Sequence, residues 1–377
     1  MKIFRTVLQV GLYASAFSLL LLAAFHVIAF EHSIFGLAIA PELWGFKKVF
    51  SRAWPLAGAA TSNGTQSVRF NLKDFLQTEL LGSLFFRTVG NVVIAGAGAG
   101  TATGQDNPES LVVDITARHS PTLGLVSKSA LTPRGLLQMG IFDRGYSIHG
   151  TTIADAAGTT AVDFQLPLTF KQPGSVNPVE WGLPMSLFTS YDFDVRVSGR
   201  EQLFTGGTNT WDVSGLQLEV WADFDYGVAG VFNAVEEFER TISITATKSD
   251  LQDFLEKGFV YTHLLYIGER DNVKDDTLIN SITLQSAGRI WTPQGDNNGK
   301  MIQRWERERY VNSAAESLTG TYFVGALRDG MFTRAIDALS DRVEQKFDVT
   351  LGGGTTRQIR LHGRRIIPKA LNVRSAS

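Results

Sequence analysis

The sequence predicts an all-β protein: two β-sandwiches in tandem behind an apolar amino-terminal helix. Two observations carry this. Around the middle of the chain, Leu216–Asp225 alternates apolar and polar residues with period two, a glycine-bearing break follows (Tyr226 to Gly230), and a second alternating run starts at Val235 and reaches Ile244. Alternation of that period marks strands with one buried face. On both sides of this seam, short alternating runs are separated by glycine-rich turn clusters, and no dominant helix interrupts them. That spacing indicates sandwiches or barrels.

Composition agrees. A chain of 377 residues can bury two cores, and 44% hydrophobic with 19% charged content fits an ordered globular protein. A formal net charge of −2 gives no reason to expect a polyanion as partner. The absence of cysteine excludes a disulfide framework, a thiol nucleophile and cysteine-based zinc sites. With 25 Phe and 37 Gly, the chain has material for packed cores joined by many turns.

The arm comes first, residues 1–56. Lys2 and Arg5 precede an apolar stretch, 7–30, without formal charge, and Glu31 follows it. At about 1.5 Å per residue a helix of that length exceeds the roughly 30 Å of a bilayer core. An uncleaved membrane segment, a cleaved secretory signal and a helix buried by other subunits all fit. Against cleavage, the best small-x-small site, Ala38-Ile39-Ala40, is followed by Pro41. Within the arm, Phe17, Leu20, Leu21, Leu22 and Phe25 are the candidates for lipid contact. Trp44, Lys47 and Lys48 join them, because aromatic and basic residues beyond an apolar span suit a headgroup region. Residues 57–66 are small and polar, a linker.

The first sandwich is expected over 67–228. Val68–Leu72 enters it, and Leu80–Val89 forms a strand or short helix. Asn91 to Gly100 has alternating glycines, but neither a Lys-Ser/Thr nor a third fingerprint glycine follows, so it reads as a strand entering a turn and not a phosphate loop. Leu111–His119 is a strand, and Pro133–Met139 a short turn or helix before Ile141 to Asp143. Ala161–Phe170 alternates around Pro167, which points to an edge or bulge. Phe188–Val197 and Leu216–Asp225 complete the set.

The second sandwich is expected over 229–368, with 369–377 as a tail. Phe238–Thr247 and Phe259–Ile267 are strands, and Ser249–Leu255 between them reads as a capped helical turn. Thr277–Gln285 follows, then a helix from Met301 to about residue 317 whose charges suit a solvated or subunit-facing surface. Thr321–Leu327, Gln345–Leu351 and Gln358–Ile367 are the last strands, with Gly352-Gly353-Gly354 as a hairpin link between the final two. Arg357, Arg360, Arg364, Arg365, Lys369 and Arg374 gather at the end without interleaved stacking aromatics, so a solvated edge strand is expected and not a nucleic-acid patch.

Catalytic chemistry has no signature. The histidines at 26, 32, 119, 149, 263 and 362 lack ligand spacing, and the acidic loops 271–276 and 296–299 lack calcium-loop spacing. No nucleophile elbow is present. The chain is therefore expected to be no enzyme, with no catalytic residues, cofactor or metal.

In size, in its two successive sandwiches and in runs such as Val162–Phe170, Tyr191–Val197, Leu216–Asp225 and Arg357–Pro368, the chain resembles the double jelly-roll major capsid proteins of non-tailed, membrane-containing double-stranded DNA phages, the tectivirus and corticovirus-like lineage. The resemblance covers 67–368. It implies two eight-stranded jelly rolls side by side, and a homotrimer forming a pseudo-hexagonal capsomer that tiles an icosahedral shell over an internal membrane. Its partners would be further copies of itself, other virion proteins and, through the arm, lipid, with no sequence-specific nucleic acid. The location implied is the virion capsid. The long apolar arm departs from the short helix usual in that lineage. The rival reading is a membrane-anchored or exported β-sandwich, either a carbohydrate-binding protein or a hydrolase.

Overall fold

The structure, a computed structural model, describes residues 44–56, 58–119, 130–144, 151–171, 181–226, 230–231, 234–286, 288–295, 297–303, 319–325, 335–366 and 372–373. The apolar stretch 7–30 lies outside these, and with it Phe17, Leu20, Leu21, Leu22 and Phe25. No helix among the described residues is long and apolar enough to cross a membrane.

The framework strands of the first half are β1 (Trp44–Ala53), β2 (Gln66–Asn71), β3 (Leu80–Ala95), β4 (Val112–His119), β5 (Ala130–Leu131), β6 (Gly158–Thr169), β7 (Tyr191–Val197) and β8 (Leu216–Asp225). Those of the second half are β9 (Val235–Ser243), β10 (Lys248–Phe254), β11 (Val260–Arg270), β12 (Ile279–Ser286), β13 (Arg289–Ile290), β14 (Thr321–Gly325), β15 (Glu344–Val349) and β16 (Arg357–Ile366). One helix, α1 (Pro133–Arg144), joins β5 to β6.

The two halves repeat one pairing scheme. In the first, β1–β8–β3–β6 runs through one sheet and β2–β7–β4–β5 through the other, every pair antiparallel. In the second, β9–β16–β11–β14 and β10–β15–β12–β13 pair in the same order. First pairs with eighth, eighth with third, third with sixth, while second, seventh, fourth and fifth make the facing sheet. This is the jelly roll, and the chain contains two.

Alternation sets which side chains fill each roll. In β8, Leu218, Val220, Ala222 and Phe224 point inward to a core shared with Leu84 and Phe86 of β3 and Phe193 of β7, while Trp221 and Asp223 point outward. A one-residue slip would exchange these sets, so burial fixes the register. The second core gathers Leu264, Tyr266, Ile282, Leu284, Phe347, Ile359 and Leu361 in the same way. Pro167 sits in β6, which pairs with β3 alone among the framework strands, an edge where a missing amide is tolerated.

Five expectations change. The first roll begins at β1, within the segment assigned to the arm, because the sheet needs a strand beside β8 and residues 44–53 supply it with a bulge at Val49. Ala59–Ala60, inside the expected linker, pairs with Thr210–Asp212. Ser249–Leu255 is not a helical turn: β10 pairs with β15, and that long-range pairing overrides the local capping pattern. Gly352-Gly353-Gly354 is not a hairpin either, since β15 and β16 lie in opposite sheets and the glycines carry the chain across, Gly352 and Gly354 at positive φ. In the expected tail, Asn372–Val373 pairs with Gly230–Val231. Of the helix expected over 301–317, residues 298–303 are helical and 304–318 lie outside the described residues.

The junction between the rolls as candidate functional site

Helix α1 builds the junction. Thr132 caps it, Oγ1 accepting the Gly135 amide at 3.3 Å, and Pro133 occupies the first helical position, where a missing amide has no cost. The helix belongs to the first roll by sequence but lies on the outer face of the second roll's sheet. Met139 and Phe142 form a buried apolar cluster with Leu265 and Ile267 of β11 and Phe323 of β14. The rings of Phe142 and Phe323 stack with centroids 4.2 Å apart and planes 3° from parallel.

Beside this cluster runs a chain of charges of alternating sign. Asp106 Oδ2 accepts from Arg134 Nε at 2.5 Å, and Arg134 Nη1 donates to Glu269 Oε1 at 2.8 Å. Glu269 Oε2 accepts from Arg360 Nη2 at 2.9 Å, and Arg360 Nη1 donates to Glu239 Oε1 at 2.7 Å. Glu239 meets His362 Nδ1 at 3.2 Å, His362 Nε2 meets Glu237 at 2.8 Å, and Glu237 accepts from Arg364 Nη2 at 2.8 Å. Three strands assemble this row: Glu237 and Glu239 on β9, Arg360, His362 and Arg364 on β16, Glu269 on β11. Period two puts alternate residues of each strand on the one face, and the pairing Glu239↔His362 sets carboxylates against cations.

The first roll plugs into the row. Thr132 donates its amide and hydroxyl to Glu239, each at 2.9 Å, and Arg134 also donates to the carbonyls of Asn272 and Gly104 at 2.8 and 2.9 Å. Gly135 passes so close that a Cβ built on it would lie 2.4 Å from His362 Nδ1 and 2.5 Å from Glu239 Oε2. Further along, the Val235 amide donates to the Phe170 carbonyl at 3.1 Å.

Burial alone would lower the His362 pKa, but hydrogen bonds and charge from Glu237 and Glu239 outweigh it and raise the value to about 9. Glu269 is the mirror case. Burial pushes its pKa up, while the bonds and charge of Arg360, with the charge of Arg134, win and hold it at about 2. Glu237 is likewise held at about 2 against its burial, by Arg364 and His362. With the imidazole protonated, four carboxylates face three guanidinium groups and one imidazolium, and the row is neutral. Every member has an opposite charge within reach, so the arrangement has no poised acid, base or nucleophile. It fixes two bodies in one orientation.

A second buried pair braces the first roll. Arg200 Nη2 and Asp155 Oδ2 lie 2.6 Å apart, and Asp155 also accepts from Trp211 Nε1 at 2.8 Å and the Gly100 amide at 2.6 Å. The glycine run weighed as a phosphate loop thus directs an amide to an internal carboxylate.

The expected site residues have other settings. Trp44 lies in β1 opposite Asp225. Lys47 donates to the Phe75 carbonyl at 3.2 Å and stands over the Phe224 ring. Lys48 pairs with Glu219 at 2.8 Å and stands over Trp221. These are contacts within the first roll. Arg360 and Arg364, expected on a solvated edge, lie on a central strand between β9 and β11, and Arg364 is 2% exposed. The spacing that put them on one face was legible; the facing carboxylates, more than ninety residues away in sequence, were not. The described residues contain no group of three or more His, Cys, Asp or Glu able to hold a metal. An open groove of about 400 Å³ over β2 and β7 is lined by Arg69, Asn71, Arg118, Asp192 and Asp194, and within it Arg69 already pairs with Asp194.

No family model and no curated protein matches the sequence. Solved structures do match in fold. A chain of the atomic structure of Sulfolobus turreted icosahedral virus superposes with a TM-score of 0.60 at 10% identity, over 86% of this chain and 92% of that one. The crystal structure of the capsid protein of the same virus gives 0.58 at 10% identity, over 88% and 100%. The major capsid protein P2 from bacteriophage PM2 gives 0.52 at 12% identity, over 88% and 99%. At such identities the likeness is one of fold: the double jelly roll.

Proposed function

We propose that this chain is the major capsid protein of an icosahedral virus, a homotrimer that forms pseudo-hexagonal capsomers and tiles a shell over an internal membrane. The observation that carries the reading is the junction. Two rolls of one topology are locked together by buried ion pairs with no reactive group among them, as a tile requires and an active site does not. The fold shared with viral capsid proteins supports the same role. Residues 1–43 are assigned to the membrane side, with Phe17, Leu20, Leu21, Leu22 and Phe25 as lipid contacts.

Sedimentation and negative-stain microscopy of the purified full chain test the reading. Trimers that associate into flat sheets or shells are expected, and a protein that stays monomeric at high concentration would refute it. For the arm, flotation with liposomes is decisive: the full chain should float, and a chain lacking residues 1–43 should not.

A further inference from the structure

The first roll hands two backbone amides to the second, and both land on carboxylates that share His362. Glu239 accepts the Thr132 amide at 2.9 Å, and Glu237 accepts the Thr169 amide at 3.4 Å. Thr132 and Thr169 belong to the first roll, Glu237 and Glu239 to β9 of the second. The imidazole lies between the two acceptors, Nδ1 3.2 Å from Glu239 and Nε2 2.8 Å from Glu237, fully buried and with Gly135 of α1 against its ring. An imidazole carries hydrogen on both nitrogens only when protonated. Neutral, it turns a lone pair toward one carboxylate or the other.

The surrounding charges cannot replace that proton. On β16, Arg360 is already engaged by Glu239 and Glu269, and Arg364 by Glu237. β11 contributes Glu269, a further negative charge, and His263, whose Nδ1 meets Thr262 Oγ1 at 3.0 Å. α1 contributes Arg134, which Asp106 and Glu269 hold. Among these groups, a neutral His362 leaves the carboxylates of Asp106, Glu269, Glu239 and Glu237 against three guanidinium groups, one negative charge in excess between the rolls. An unbalanced buried charge is strongly unfavourable.

The apolar contact that opposes separation is small. The two large cores are separate clusters, one in each roll, and among the described residues the cluster that joins them has five members: Met139, Phe142, Leu265, Ile267 and Phe323. Opening it exposes far less apolar surface than opening either core, and a protein opens first where least is buried.

We propose that His362 is a proton-operated latch between the rolls. With the ring protonated the first roll is held on the second; when the proton passes to hydroxide, α1 and the contacts of Thr132 and Thr169 come free while both cores stay folded. The latch belongs to the single chain and does not depend on the capsid reading. In a shell it would make the rigidity of the tile depend on pH.

Because the chain has no cysteine, an engineered thiol reports opening without background. Met139→Cys lies on the buried face of α1 and Leu284→Cys in the second core, both at positions 0% exposed. In the full-length chain, labelling by a thiol reagent is followed from pH 7 to 10 and normalised at each pH to the urea-unfolded chain, which removes the thiol's own titration. Protection of Met139→Cys should fall about tenfold or more over this range while Leu284→Cys stays protected. With His362→Gln added, the junction thiol should lose its pH dependence. Leu265→Cys, on the β11 side of the same cluster, gives the same report if Met139→Cys fails to fold. Equal loss of protection at junction and core would mean unfolding of the whole chain, and constant protection at the junction would mean no release; either result overturns the latch. So would an unchanged pH dependence in His362→Gln. None of these readings requires self-association, so the capsid reading stands or falls separately.

Discussion

His362 Nε2 stands 2.8 Å from Glu237 Oε2, with neither side chain more than 1% exposed. The imidazole has a carboxylate at each nitrogen, so its protonated form is the one the folded protein favours. Its pKa is raised from an ordinary 6.5 to about 9. A group bound more tightly to its proton when folded adds stability that is complete below the unfolded value and is lost as pH rises through the folded one. The chain should therefore lose on the order of 3 kcal/mol between about pH 6.5 and 9. Glu237 and Glu269, held at about 2, act in the opposite sense: their contribution is present above about 4.5 and disappears as pH falls toward 2. Denaturant midpoints measured across pH 3–10 should show a plateau between these limbs. In His362→Gln the alkaline limb should flatten; an unchanged slope there would mean that His362 is neutral in the folded protein.

Arg360 holds two carboxylates, Glu239 and Glu269, on either side. Arg360→Met keeps most of the side chain's volume but removes the cation the two carboxylates share, leaving Glu269 to Arg134 and Glu239 to His362, so it should cost about 3 kcal/mol. The triple variant that also carries Glu239→Gln and Glu269→Gln should recover part of that, because polar amides tolerate burial better than carboxylates that have lost one of their two cations. Urea titrations of the two variants provide the comparison. A triple variant no more stable than the single one would show that packing, not charge, sets the cost.

Much of the architecture was legible because a strand with one buried face writes itself as alternation, and Leu216–Asp225 writes it cleanly. The junction was not. In α1, Gly135 and Gly140 lower helix propensity, so the sequence shows a short turn or helix ending at Met139 where a 12-residue helix runs on to Arg144. Those glycines are there for contact: Gly135 passes Glu239 and His362, and a Cβ on Gly140 would lie 3.2 Å from Pro167 Cγ. β1 was obscured differently. Its aromatic and basic residues have the pattern of a membrane border, and only the partner strand β8, some 170 residues away, decides between the two.

Asp155 and Arg200 make a local test. Trp211 Nε1 and the Gly100 amide donate to the Asp155 carboxylate, and Asn209 Nδ2 donates to the Asp155 carbonyl at 2.9 Å and to Oδ1 at 3.4 Å, so the turns 96–100 and 205–209 both hang on this residue. Asp155→Asn keeps the shape but leaves Arg200, 3% exposed, without its counter-ion. The expected loss is about 3–5 kcal/mol, seen first as faster amide exchange in those two turns and in Thr210–Asp212. Uniform acceleration across both rolls would contradict a local brace.

Gly135 supplies the sharpest probe of the junction, because its substitution adds one methyl group and removes no bond. Its φ is not in the left-handed region, so alanine meets no backbone strain, and in a helix it would by itself be favoured by up to about 1 kcal/mol. Against this, the new Cβ would fall well inside contact distance of His362 Nδ1 and Glu239 Oε2. Neither side chain can withdraw, since each is held by further charges at 2.7–2.8 Å. Overpacking should prevail and leave Gly135→Ala less stable by about 1–3 kcal/mol. The helix must then lift from the second roll, so Phe142 should separate from Phe323 and amide exchange in α1 should rise while both cores remain protected. Stabilisation by alanine, read in the same denaturation assay, would mean that helix propensity governs this segment and that the rolls are not held together through it.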